Sequence, residues 1–245
     1  MSDIDDLRER VAEACRVLAR LDLTKAATGH VSARVPGQDR ALIRARGPNE
    51  LGVRYTTARE VIAVDFDGKV AESTAEGLAS PAEVFIHTAV YKARPDVMSV
   101  VHVHPAMVVL FTICDKPLLP LFGAYDPAAL QLALEGVPTF DRSILVSTPE
   151  LGADLVKAMG NARTCMMRGH GITTAGQSVE DAALSAIHLN ELATINYQAN
   201  LLGNPRPISE EDQATFRRGV LAPRGDRGPG RGPALWRYYV NLTRN

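Results

Sequence analysis

Val100-Val101-His102-Val103-His104-Pro105 is an apolar, β-branched run that carries two histidines two positions apart. Such a run reads as a buried strand, and residues i and i+2 of a strand point to the same face. Two imidazoles side by side on a buried strand are costly without a partner, and a bound cation is the commonest one. His170, in Arg168-Gly169-His170-Gly171, follows another apolar run at a turn of small residues. Three neutral imidazoles meeting at one point make a facial metal site with open positions, which suits catalysis. The competing reading, core histidines that happen to share a face, fits a lone ring better than a pair.

Outward from that strand, helical and extended patterns alternate. Leu7, Val11, Ala14, Leu18 and Leu21 recur at helical spacing and predict an amphipathic first helix. Short β-type runs follow at 31–35, 41–45 and 61–66, and Asp65-Phe66-Asp67-Gly68-Lys69-Val70 reads as a hairpin turn. Ser80-Pro81-Ala82-Glu83 predicts a helix with Ser80 as N-cap and Pro81 at its first position. Asp126-Pro127 opens a short helix, 144–147 reads as a strand, and Pro149 to Met159 as a helix stopped by Gly160. A strand near 162–167 leads into His170, and a long helix over 178–202 starts at a second capping signal. The alternation predicts one α/β domain over residues 1–221. Residues 222–245 form a Pro/Gly/Arg-rich arm ending in Trp236-Arg237-Tyr238-Tyr239-Val240, expected to pack on its own domain or at a subunit interface.

Composition narrows the partners. The 245 residues are 46% hydrophobic with a formal net charge of −1, so no global field draws the chain to nucleic acid or anionic membrane. Cys15, Cys114 and Cys165 are widely spaced and form no CxxC pair, as in a protein with reduced thiols. The acidic start lacks the order of a signal peptide, and no apolar run approaches the roughly 20 residues of a membrane helix. A cytoplasmic protein is expected.

Glu83 has two readings. Three residues after Ser80 it fits a capping box, its carboxylate reaching back to the Ser80 amide. It also fits a general acid/base beside the metal, with His87 one turn further along. The Thr28-Gly29-His30-Val31-Ser32-Ala33-Arg34 segment and Arg44-Ala45-Arg46-Gly47-Pro48-Asn49 are Gly-containing turns rich in donors. Glycine allows close backbone approach, and arginine binds carboxylate or phosphate through two bonds. Arg44 is read as a solvated strand-end residue and Arg46 as the ligand-facing one. His188 reads as a packed or surface side chain, and Met166-Met167 as core filler.

Taken together, Gly29 to Arg34, the Glu83 helix, His102-x-His104-Pro105 and the His170-Gly171 turn resemble the class II aldolase/adducin-type family, from the first helix to about Gly203. The resemblance implies a three-layer α/β/α fold around a largely antiparallel sheet. It implies a divalent metal (zinc, manganese, iron or cobalt) on His102, His104 and His170, with Glu83 as ligand or proton-transfer group. It also implies a homo-oligomer, commonly a tetramer, in which an aromatic residue of a neighbouring chain donates a proton, a role for Tyr125 or the Tyr238-Tyr239 tail. Gly29, His30, Ser32 and Arg46 are the implied substrate contacts. Family aldolases acting on sugar phosphates carry Asn where His30 stands and Ser-Ser where Pro81-Ala82 stands. Proline has no amide to donate and alanine no hydroxyl, so a phosphate loses contacts. The segments around Arg46, Tyr125 and His170 look closer to the family's decarboxylase branch. That implies decarboxylation of a hydroxylated aromatic acid such as 3,4-dihydroxyphthalate to protocatechuate. The alternatives are an aldolase acting on a sugar phosphate or hydroxy-keto acid, an iron oxygenase on the same histidines, and an adducin-like interaction module without metal.

Overall fold

The computed structural model describes residues 3–220 and 231–244. Helix α1 (Asp3–Arg20) opens on Asp3, Asp5 and Asp6 and closes on Arg20, charges that complement the helix dipole. Strands β1 (His30–Arg34), β2 (Arg40–Arg44), β3 (Val61–Asp65) and β4 (Val70–Glu72) follow as an antiparallel meander. The β3–β4 turn is built as expected: the Asp65 carboxylate accepts from the Asp67 and Lys69 amides, and Gly68 takes φ 83°. Next come α2 (Val84–Ala93), β5 (Ser99–Val103), α3 (Ala106–Ile113), α4 (Pro127–Glu135), β6 (Thr139–Phe140), α5 (Pro149–Met159), β7 (Thr164–Met167) and β8 (Gly171–Gly176). The long α6 (Val179–Leu202), α7 (Glu210–Val220) and α8 (Arg231–Asn241) complete the order.

All eight strands join one sheet in the order β4-β3-β2-β1-β5-β8-β7-β6, antiparallel except for the β6–β7 pair. Alternation along β5 separates two cores. Val101 and Val103 pack with Val11, Leu18 and Leu189 under α1 and α6, whereas Val100 packs with Ile86, Val90 and Leu155 under α2 and α5. Helices on both faces explain why β5 is apolar almost throughout, and they make the three-layer α/β/α arrangement. His30, Ser32 and His102 occupy the positions that alternate with Val31, Ala33 and Val101, so they face the α2 layer.

Local expectations need correction at the start of α2, at 144–147 and at the start of α8. Helix α2 begins at Val84 with Glu83 itself in the N-cap position, because Pro81 to Glu83 form a turn whose Pro81 carbonyl accepts from Val84 N. Residues 144–147 form no strand: the Val146 amide donates to Glu83 Oε1 at 2.9 Å instead of to a neighbouring strand. After His170 the chain enters a strand, β8, that pairs with both β5 and β7. Most of the Pro/Gly/Arg segment, 221–230, lies outside the described residues. Arg231 to Pro233, read as irregular, begin α8, where a first-turn proline forfeits no helical bond. Trp236 and Val240 of α8 are buried in the core shared with α1 and α6, while Tyr238 stays exposed. No helix among the described residues is long and apolar enough to cross a membrane.

Candidate metal centre

The site forms where β5 ends. His102 pairs across the sheet with His30 on one side and Thr173 on the other, which fixes its height in the sheet. His104 follows one residue past the strand, before Pro105 caps α3. His170 sits in the β7–β8 turn, made possible by Gly169 at φ 60°. Gly171 then passes so close to the Val103 carbonyl and the His104 ring that no side chain fits there. Glu83 arrives from the layer that His102 faces, at the head of α2.

One nitrogen from each of His102, His104 and His170 and one oxygen of Glu83 lie within 4.8 Å of one another. The His102 and His104 Nε2 atoms are 2.8 Å apart. Glu83 Oε2 is 3.4 Å from His170 Nε2 and 3.6 Å from His102 Nε2. His102 Nδ1 donates to the Ile172 carbonyl at 3.0 Å, which turns the lone pair of Nε2 into the cluster. Both ring nitrogens of His170 are buried without a hydrogen-bond partner. None of the ion pairs among the described residues gives Glu83 a lysine or arginine. Orphaned imidazole nitrogen, converging lone pairs and one uncompensated buried carboxylate are what a divalent ion with nitrogen and oxygen ligands satisfies, so the residues fit such a metal.

The electrostatics keep the donors in ligating form. Burial opposes charge on Glu83, while the Val146 amide, donating to Oε1 at 2.9 Å, favours the carboxylate. Burial, then the neighbouring His102 and His170, pushes His104 down to about 3, and burial lowers His102 despite Glu83. These rings are neutral at physiological pH, the state that binds metal.

Of the other sequence candidates, His30 borders the cluster, its ring 5.2 Å from that of His102. Ser32 lies one layer further in, fully buried: Oγ is 2.7 Å from His87 Nδ1 and 2.7 Å from the Tyr91 hydroxyl. His87 Nε2 in turn is 2.6 Å from His30 Nδ1. Gly29, at φ 88°, lets β1 begin against the His102 carbonyl. Arg46 is exposed, its backbone bridged to Ala79 just before the Glu83 turn. Arg44 is not solvated but buried, bonded to Glu50, Thr56 and the Ala27 carbonyl. Tyr125 is 67% exposed and donates to Glu191 at 2.8 Å, so no contact within the described chain brings it to the cluster. His188 pairs with Asp126 at 2.7 Å. Tyr91 was missed. Its signal was the i, i+4 spacing from His87, which puts both on one face of α2.

Residues 9–197 match the family model described as Class II Aldolase and Adducin N-terminal domain. The chain is 39% identical over 236 residues to the 3,4-dihydroxyphthalate decarboxylase of Terrabacter sp. (strain DBF63), covering 95% of each. It is 39% identical over 210 residues to that of Arthrobacter keyseri, covering 84% of each. A solved aldolase II superfamily protein from Pseudomonas syringae superposes with a TM-score of 0.84 at 26% identity, covering 100% of this chain and 94% of the other.

Proposed function

Since the chain belongs to the class II aldolase and adducin N-terminal domain family, we propose that this carbon–carbon lyase removes carbon dioxide from a hydroxylated aromatic acid of the 3,4-dihydroxyphthalate kind, giving protocatechuate. The observation that carries the reading is the buried Glu83–His102–His104–His170 cluster, in which neither His170 ring nitrogen has a hydrogen-bond partner. Two supports favour decarboxylation over sugar-phosphate cleavage: the named activity of the 39% identical relatives, and Pro81-Ala82 where phosphate donors would be needed. A divalent ion bound by the cluster supplies a Lewis acid for negative charge that develops on substrate oxygens.

The chain's own groups handle orientation and protons. His30 and Arg46 hold a carboxylate of the acid, and Gly29 keeps the backbone out of its way. Glu83, kept as a carboxylate, takes the phenolic proton at Oε2 as the acid binds. The ring-to-carboxylate bond breaks, carbon dioxide leaves, and the electron pair remains on the ring carbon. Glu83 returns its proton to that carbon, and the product phenolate regains a proton from water on release. Tyr125 of a neighbouring subunit is the second proton donor this reading allows, in a homotetramer. Product analysis tests it. Metal-loaded protein given 3,4-dihydroxyphthalate should yield carbon dioxide and protocatechuate in equal amounts. Faster retro-aldol turnover of fuculose 1-phosphate, or an oxygen requirement for product, would contradict it.

A further inference from the structure

Four polar side chains run in single file from the edge of the cluster into the α2 layer: His30, His87, Ser32 and Tyr91. All four are buried, and His87 and Ser32 have no exposure at all. A polar chain in a core is tolerated when every member is satisfied, and satisfaction here dictates where each proton sits.

The order is set at the closed end. The Val100 backbone approaches the Tyr91 hydroxyl as a donor, which leaves Ser32 Oγ as its one acceptor among the described residues, so a buried phenol O–H must donate there or go unpaired. Ser32 then accepts from Tyr91 and donates its own proton. Its near acceptor is His87 Nδ1 at 2.7 Å; the Val100 carbonyl, at 3.5 Å, is a poor one. With Nδ1 accepting, a neutral His87 carries its proton on Nε2 and donates it to His30 Nδ1 at 2.6 Å. His30 is left with its proton on Nε2, the nitrogen on the opposite side of the ring, which has no partner among the described residues. The reverse order would strand the Tyr91 proton and turn a lone pair of His30 outward, repelling an anion.

We infer that Tyr91, Ser32 and His87 form a proton-ordered relay that presents the Nε2–H of His30 to an anionic oxygen, carboxylate or phenolate, of the aromatic acid. The last clause rests on the decarboxylase reading; the proton order does not. Ser32, His87 and Tyr91 are thus positioning residues, and of these four only His30 touches the acid.

Side-chain ¹⁵N spectra of histidine-labelled, zinc-loaded full-length protein read the order directly. Both His30 and His87 should be protonated on Nε2; a His30 proton on Nδ1 overturns the relay. Calorimetric titration with protocatechuate supplies the second arm. Ser32→Ala and His87→Leu should bind it about tenfold more weakly, one neutral hydrogen bond's worth. His87→Gln, whose amide can both donate to His30 and accept from Ser32, should restore most of that affinity. All variants should keep the zinc content of the parent, which separates lost positioning from lost folding. Equal affinity in parent, His87→Leu and His87→Gln overturns the proposal. If the parent binds no hydroxylated aromatic acid, the decarboxylase reading falls, and the spectra alone decide the relay.

Discussion

His102→Ala removes a ring tied to the Ile172 carbonyl on one side and facing the other donors with its second nitrogen. Its metal affinity should fall by more than the roughly 10- to 100-fold typical of losing a supporting partner, read as metal per chain after dialysis. Glu83→Gln keeps the shape and the Val146 bond but cannot hold a proton in transit. Metal should stay near the parent level while turnover drops on the order of 10²- to 10⁴-fold. Intact turnover with a lowered melting temperature would leave Glu83 a structural role only, as the acceptor of the Val146 amide. The histidines were legible in the sequence because strand periodicity is short-ranged and places His102 and His104 on one face. Glu83 was not, since Ser-x-x-Glu describes a capping box and a displaced catalytic carboxylate equally well. What takes the carboxylate away from the Ser80 amide is the Val146 amide, 63 positions away in the chain. Arg44 was misread for the same reason: its partners Glu50, Thr56 and Ala27 are brought to it by folding.

The elements that hold the site meet at β8, whose first residue shows how close they come. An alanine Cβ at Gly171 would run into the Val103 carbonyl and lie 2.7 Å from His104 Cδ2. Backbone cannot yield as a flexible side chain does, so β8 must move away from β5 and carry His170 with it. Gly171→Ala should therefore weaken metal binding about 10- to 100-fold although it removes no ligand, as competition with a chelator would measure. Parent-like affinity would mean that the turn adapts. Strand β8 escaped the sequence reading because Gly171 and Gly176 bracket a short, polar-centred run, Ile172-Thr173-Thr174-Ala175, with no alternation to announce it. Its pairing with β5 and β7 supplies what its composition does not. The strand expected at 144–147 failed in the opposite way: β-branched and apolar residues were present, but the amide that would pair was taken by Glu83. The helices α1, α5 and α6 were readable because their caps and periodicity are local.

Across the whole molecule, burying neutral histidines ties stability to pH. Burial pushes His87 down to about 3, whereas the unfolded chain protonates the same ring near 6.5. Between those values the unfolded state holds more protons, so stability is full above pH 6.5 and falls as the pH drops toward 3. One such group contributes at most about 1.4 kcal/mol per pH unit. Urea unfolding of metal-free protein should show a fall from pH 7.5 to 5.5 that is smaller in His87→Gln; equal falls would place His87 in contact with water. The layered architecture was legible from the alternation of elements, and the sheet order was not, because pairing β1 with β5 spans the β2–β4 meander and α2. The account as a whole depends on one ion held by three imidazoles at the end of β5, with the Glu83 carboxylate beside it. The most direct measurement is carbon dioxide release from 3,4-dihydroxyphthalate during stepwise addition of metal to stripped protein. Activity should rise in proportion to metal and level off at one ion per chain, with none from His102→Ala at the same additions. Release that is undiminished in stripped protein, or that does not depend on His102, would contradict it.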